Sequence, residues 1–118
     1  MNTSASAATS VACAPDAIPS DQRPGHFALG KRLLKEIALR RIDLRDGLAF
    51  ELPVTELESI ARFIDNERKC CPFMKFAFAI DSGSESVLLS MTGPLGTREV
   101  LEAELDLGVP CGCSGGCK

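Results

Sequence analysis

The chain is expected to fold as an α+β domain, a small antiparallel sheet packed on one face by helices, with a flexible Cys/Gly-rich C-terminal tail. Three observations point there. Apolar residues recur at three- and four-residue steps in three separate stretches, the mark of amphipathic helices. Shorter runs between them alternate apolar and polar residues, as half-buried strands do. The last eight residues, Cys111-Gly112-Cys113-Ser114-Gly115-Gly116-Cys117-Lys118, hold nothing that can build a core.

Residues 1–23 are rich in Ser, Ala and Thr and contain Pro15 and Pro19, so a mostly mobile arm is expected. A short apolar patch over 11–14 is a candidate edge strand within it. Pro24-Gly25 marks the boundary of an α+β domain over 24–107. Leu29, Leu33, Leu34, Ile37 and Arg41 keep helical spacing and predict a helix over 27–41. Asp46-Gly47 turns the chain into a strand over 48–52, which Pro53 ends. Thr55-Glu56-Leu57-Glu58 reads as a capping box opening a helix to about 69, with Leu57, Ile60, Ala61 and Ile64 on one face. Met74, Phe76, Phe78 and Ile80 alternate as a strand; a turn over 81–85 leads to Val87, Leu89 and Met91, completing a hairpin. Thr97 is the expected cap of a last helix carrying Val100, Leu101 and Leu105 and ending at Gly108. Residues 108–118 form the tail.

At 118 residues, 45% hydrophobic and 25% charged, the chain is sized and composed as one globular domain. The net charge of −3 argues against nucleic acid as a partner, which selects a basic stripe. Without Trp or Tyr, a base-stacking platform is not expected either. No apolar run approaches the roughly 18 residues that span a bilayer, so no membrane role is expected. The first residues show neither a basic start nor a sustained apolar stretch, so a secretory signal is not expected. The reading is a cytoplasmic protein, in which six cysteines point to metal or redox chemistry before a disulfide framework.

Sulfur is concentrated at two places. Cys70 and Cys71 are adjacent where a charged helix stops before Pro72. The helix dipole disfavours thiolate there, while Arg68 and Lys69 oppose it. Adjacent cysteines rarely bridge each other, but a vicinal pair suits ions that take two thiolates, such as Hg²⁺ or As(III). The plainer alternative is that Cys71 is a small buried hydrophobe, with Cys70 at the boundary, since adjacent positions of a helix do not face one core. In the tail, Cys111, Cys113 and Cys117 are spaced by glycine-rich linkers that can wrap an ion. Joined by Cys70 or Cys71 they would give a tetrahedral zinc site; two or three of them would hold Cu(I) or Hg²⁺. The alternative there is a structureless tail that binds thiophilic ions opportunistically. His26, the only histidine, reads as a solvated helix start. Asp65 and Glu67 read as solvated helix residues, or as proton donors if the protein is an enzyme. Gly93-Pro94-Leu95-Gly96-Thr97 reads as a turn.

Val11-Ala12-Cys13, Glu67-Arg68-Lys69-Cys70-Cys71-Pro72-Phe73-Met74-Lys75-Phe76 and Thr92-Gly93-Pro94-Leu95-Gly96-Thr97-Arg98-Glu99 together resemble a family of small, mostly uncharacterised bacterial proteins. Its mark is a Glu-Arg-x-Cys-Cys-x-Phe motif, and its members are often encoded near mercury-resistance and other metal-resistance genes. The resemblance covers about residues 11–107 and implies a cytosolic role with thiophilic metals. It also implies that Cys13, Cys70 and Cys71 form one site; the tail cysteines lie outside the family pattern.

The function expected first is therefore thiolate binding of a soft ion (Hg, Zn, Cu(I) or As(III)), with Cys13, Cys70 and Cys71 on the folded domain. Cys111, Cys113 and Cys117 would capture or deliver the ion, with another metal-handling protein as a partner. The second expectation is a thiol enzyme that cleaves a carbon–metal bond such as an organomercurial's, or exchanges disulfides, with Glu67 or Asp65 supplying a proton. The third is an interaction module with structural cysteines.

Overall fold

Two β-hairpins, joined through their inner strands, make the sheet. The computed structural model describes residues 12–107. In it, β1 (Arg40–Leu44) pairs with β2 (Gly47–Pro53), and β3 (Lys75–Ile80) pairs with β4 (Ser86–Thr92). β2 and β4 pair in turn, giving one antiparallel sheet of order β1-β2-β4-β3. The register aligns Leu48 with Met91 and Phe76, and Phe50 with Leu89 and Phe78. Side chains alternate across a strand, so these rows share one face.

Helices cover that face. α1 (Arg23–Lys31) runs on into a π-helical segment, Arg32–Ile37. α2 spans Leu57–Cys70, after a 3₁₀ turn at Val54–Glu56, and α3 spans Thr97–Glu104. Leu33, Leu34, Ile60, Phe63, Leu101 and Leu105 pack from the helical layer against the strand rows in one buried cluster. Each such side chain contributes about 1.5–3 kcal/mol on full burial. The α+β class and the one-sided sheet are those expected from the sequence.

Several local expectations are corrected. The first helix does not run to 41: it ends at Ile37, and β1 follows, a strand the periodicity does not reveal. The row of β1 that lies beside Leu48 and Phe50 consists of Arg41 and Asp43, which bond one another, so no apolar alternation marks it. Arg41 also bonds Glu102, tying this edge strand to α3. The capping box does not form, because α2 follows directly from the 3₁₀ turn and no side chain caps it. Thr97 is the first residue of α3 rather than its cap; its hydroxyl donates to the Pro94 carbonyl at 2.6 Å. The cap position is Gly96, at φ 101°, a conformation that favours glycine. On α2 the buried stripe is Ile60, Phe63, Asn66, Glu67 and Cys70, and Ala61 is exposed. No helix among the described residues is long and apolar enough to cross a membrane.

Candidate functional site

The C-terminal end of α2 carries the site. Ile60, Phe63, Glu67 and Cys70 follow three- and four-residue steps, which puts an acid and a thiol on the stripe that faces inward. Pro72 biases its predecessor away from helical geometry, and Cys71 adopts φ −124°, ψ 74°, while its N–H still donates to the Glu67 carbonyl at 2.8 Å. Both Cys70 and Cys71 are fully buried, in a satellite core with Ile18 and with the flanks of Phe27, Phe73 and Met74. This corrects the expectation that adjacent residues do not share a core. The helix ends between them, so the side-chain rotation of a continuous helix no longer separates their directions.

Cys13 joins them from the other end of the chain. The Ala14 N–H donates to the Cys70 carbonyl at 2.6 Å, satisfying one of the acceptors that a helix end leaves open. Residues 15–17 make a 3₁₀ turn, Ile18 is fully buried, and Arg23 donates to the carbonyls of Pro15 and Ile18, each at 3.0 Å. Residues 12–14 are thus pinned to a helix end and form no edge strand. Cys13 Sγ lies 2.8 Å from Cys71 Sγ. Cys13 is half-buried, and all three cysteines are free thiols.

Carboxyl groups complete the cluster. Cys70 Sγ donates to Glu104 at 3.3 Å; Cys71 Sγ donates to Glu67 and to Glu104, each at 3.5 Å. Glu67 is fully buried, accepts from His26 Nε2 at 2.7 Å and is hydrogen-bonded to Glu104. Burial drives the Glu67 carboxyl up to about 7 against the bonds it receives, and burial together with the neighbouring Glu67 drives Glu104 up to about 7. The Cys70 thiol is raised by burial and then by Glu104. The Cys71 thiol is raised first by its contact with Cys13, then by burial and the two acids. Burial lowers His26, whose Nδ1 is buried without a partner. The network therefore assigns a neutral ring that donates from Nε2, leaving Nδ1 a bare acceptor rather than an orphaned N–H. Phe63 stacks on that ring and Phe27 meets it edge-on, with centroids 5.2 Å away in both cases.

The sulfurs of Cys13, Cys70 and Cys71 and a Glu104 oxygen lie within 4.8 Å of one another, as do ligand atoms of His26, Glu67 and Glu104. Glu104 belongs to both sets, so the arrangement is one cluster with a sulfur end and a nitrogen–oxygen end. It is ion-sized and desolvated, and the side chains bonded to its thiols are acids or another thiol. A separate cleft of about 490 Å³, walled by Gln22, Gly25, Leu29, Arg62 and Asn66, shares only His26 with it.

Of the residues singled out in the sequence, Cys13, Cys70, Cys71 and Glu67 come together. Asp65 does not: it is exposed and pairs with Arg68 at 3.0 Å. Cys111, Cys113 and Cys117 lie outside the described residues. His26 is not a solvated helix start but a buried partner of Glu67, and Glu67 is not on a solvated face. Glu104 is the residue that the sequence reading missed. Its signal was present: it falls three residues after Leu101 and one before Leu105, on the apolar stripe of α3. No family model, no curated protein and no solved structure matches the chain.

Proposed function

We propose that the protein binds a soft metal ion through Cys13, Cys70 and Cys71. The observation that carries this reading is the convergence of three free thiols from two distant segments on one buried spot, against an acid-rich wall without a disulfide. Thiolates favour soft ions, and the buried Cys70 and Cys71 thiols, raised by their surroundings, give up their protons when a cation arrives. An ion about 2.3 Å from each sulfur spaces neighbouring sulfurs about 3.8 Å apart. The Cys13–Cys71 pair would open by about 1 Å. The family resemblance supports the same three residues. Tail cysteines capturing or delivering the ion, with a metal-handling partner in the cytoplasm, belong to the same proposal.

Calorimetric titration of the reduced, metal-free protein tests it. One thiophilic ion per chain, with loss of two or three reactive thiols, is expected; unchanged heat and unchanged thiol reactivity reject it. A second reading, cleavage of a carbon–metal bond, is favoured by one observation: the Glu67 and Glu104 carboxyls hold protons near neutrality beside Cys71. Such an acid can protonate the carbon released from the metal. Repeated turnover of an organomercurial under excess thiol separates that enzyme from a sink, which stops at stoichiometric product.

A further inference from the structure

The number of sulfurs and the charge of their surroundings narrow the choice of ion. Three thiols meet at the cluster, and the titratable side chains bonded to them are acids, Glu67 and Glu104. The nearest cations along α2 are engaged elsewhere: Arg68 bonds Asp65, and Lys69 bonds Asn66 and pairs with Asp65. Cys70 and Cys71 have no exposed surface, so net charge at the sulfurs is not relieved by water. A divalent ion on three thiolates leaves the complex at −1, and a Glu104 carboxylate as fourth ligand takes it to −2. A divalent ion on two thiolates is neutral but leaves the third thiol idle. A trivalent ion on three thiolates uses every sulfur and is neutral.

Building on the soft-ion reading, we propose that this site selects a trivalent thiophilic hydroxide of the arsenous acid class, held by Cys13, Cys70 and Cys71 as a neutral trithiolate. The reaction is a condensation without redox change: As(OH)₃ and three R–SH give As(SR)₃ and three H₂O. Three As–O bonds break, three As–S bonds form, and each thiol proton leaves with a hydroxyl as water. Both reactants and the complex are uncharged, which suits buried sulfurs packed against Ile18, Phe73 and Met74 on one side and facing two acids on the other. Half-buried Cys13 offers the first point of attachment, and Cys71 lies 2.8 Å from it.

The test uses the full chain with Cys111, Cys113 and Cys117 replaced by Ser, so that only the folded-domain thiols report. Arsenite, Hg²⁺ and Zn²⁺ are titrated into this protein and into versions that add Cys13→Ser, Cys70→Ser or Cys71→Ser. One arsenite per chain is expected, and each single replacement should weaken it by about 100-fold or more. Hg²⁺, satisfied by any two thiols, should stay within about tenfold. X-ray absorption of the arsenic-loaded chain with its domain cysteines intact covers the case in which a replacement unfolds the protein: three sulfur neighbours and no oxygen are expected. Arsenite binding with two sulfurs and an oxygen, or tolerance of one Ser replacement, overturns the trithiolate. Binding of Hg²⁺ or Zn²⁺ without arsenite overturns the trivalent choice while leaving the soft-ion site standing. Binding of none of the three overturns both.

Discussion

Glu67 takes hydrogen bonds from His26 Nε2, from Cys71 and from Glu104, and has no access to water. Its carboxyl and that of Glu104 hold protons more tightly in the folded chain (about 7) than in the unfolded one (4.5). Folding therefore takes up protons between those values. The stabilisation is complete below pH 4.5 and is lost as pH rises through about 7. At 1.36 kcal/mol per pH unit, one such carboxyl accounts for about 3 kcal/mol. Urea midpoints of the metal-free protein should fall from pH 5 to pH 8, and Glu104→Gln should flatten the slope. A midpoint that rises over this range would mean that the acids are ionised in the folded state. At this scale the sequence is legible for the thiols and poorly so for their partners. Vicinal cysteines before a proline stand out, whereas a buried glutamate looks like a surface one until its position on an apolar stripe is weighed. His26 was misread because a Pro-Gly neighbour signals exposure, while its ring is covered by Phe63 from α2 and by the adjacent Phe27.

The helices and strands set the site by close approach. At Gly30 on α1, an added Cβ would lie 2.9 Å from the Phe63 ring and 3.1 Å from Leu105, so α1 meets α2 and α3 here. Phe63 also supports the His26 ring. Alanine favours helix over glycine by about 1 kcal/mol, but overpacking a filled core costs about 1–3 kcal/mol. Gly30→Ala should therefore be destabilising by about 1 kcal/mol on balance, read as a lower thermal midpoint; a higher one would show that the ring and Leu105 move aside freely. The β3–β4 hairpin, the strand β2 and the helices with apolar periodicity were readable, and their spacing predicted the sheet face correctly. β1 was not, because its inward positions are an arginine and an aspartate that bond each other, with Glu102 of α3 as the arginine's second partner. The caps failed as predictions for a related reason: a 3₁₀ turn and a left-handed glycine begin α2 and α3, and neither needs the side-chain oxygen that a cap motif supplies.

Across the whole molecule, the arm from Cys13 to Ile18 crosses the end of α2 and seals the sulfurs. Ligand binding to the folded state alone raises stability by about 2.7 kcal/mol at a concentration of 100 Kd. Arsenite should accordingly raise the unfolding midpoint of the intact chain, and Cys13→Ser should remove most of that gain. An equal gain without Cys13 would place the ion at the vicinal pair alone. Packing of this arm was not legible in a stretch of Ser, Ala and Pro; a single buried isoleucine and two guanidinium bonds from Arg23 hold it down.

Cys13 and Glu104 stand near opposite ends of the described chain and are neighbours only after α3 has docked. During synthesis, a ribosome-bound fragment has the vicinal thiols and Glu67 before it has Glu104, the acid that bonds both thiols. Ion capture at the complete cluster is then a late event, and closing so long a loop makes assembly slow relative to the local hairpins. The same connectivity means that local opening of residues 12–18 or of α3 breaks the cluster, so the ion should be lost before the sheet and its core unfold.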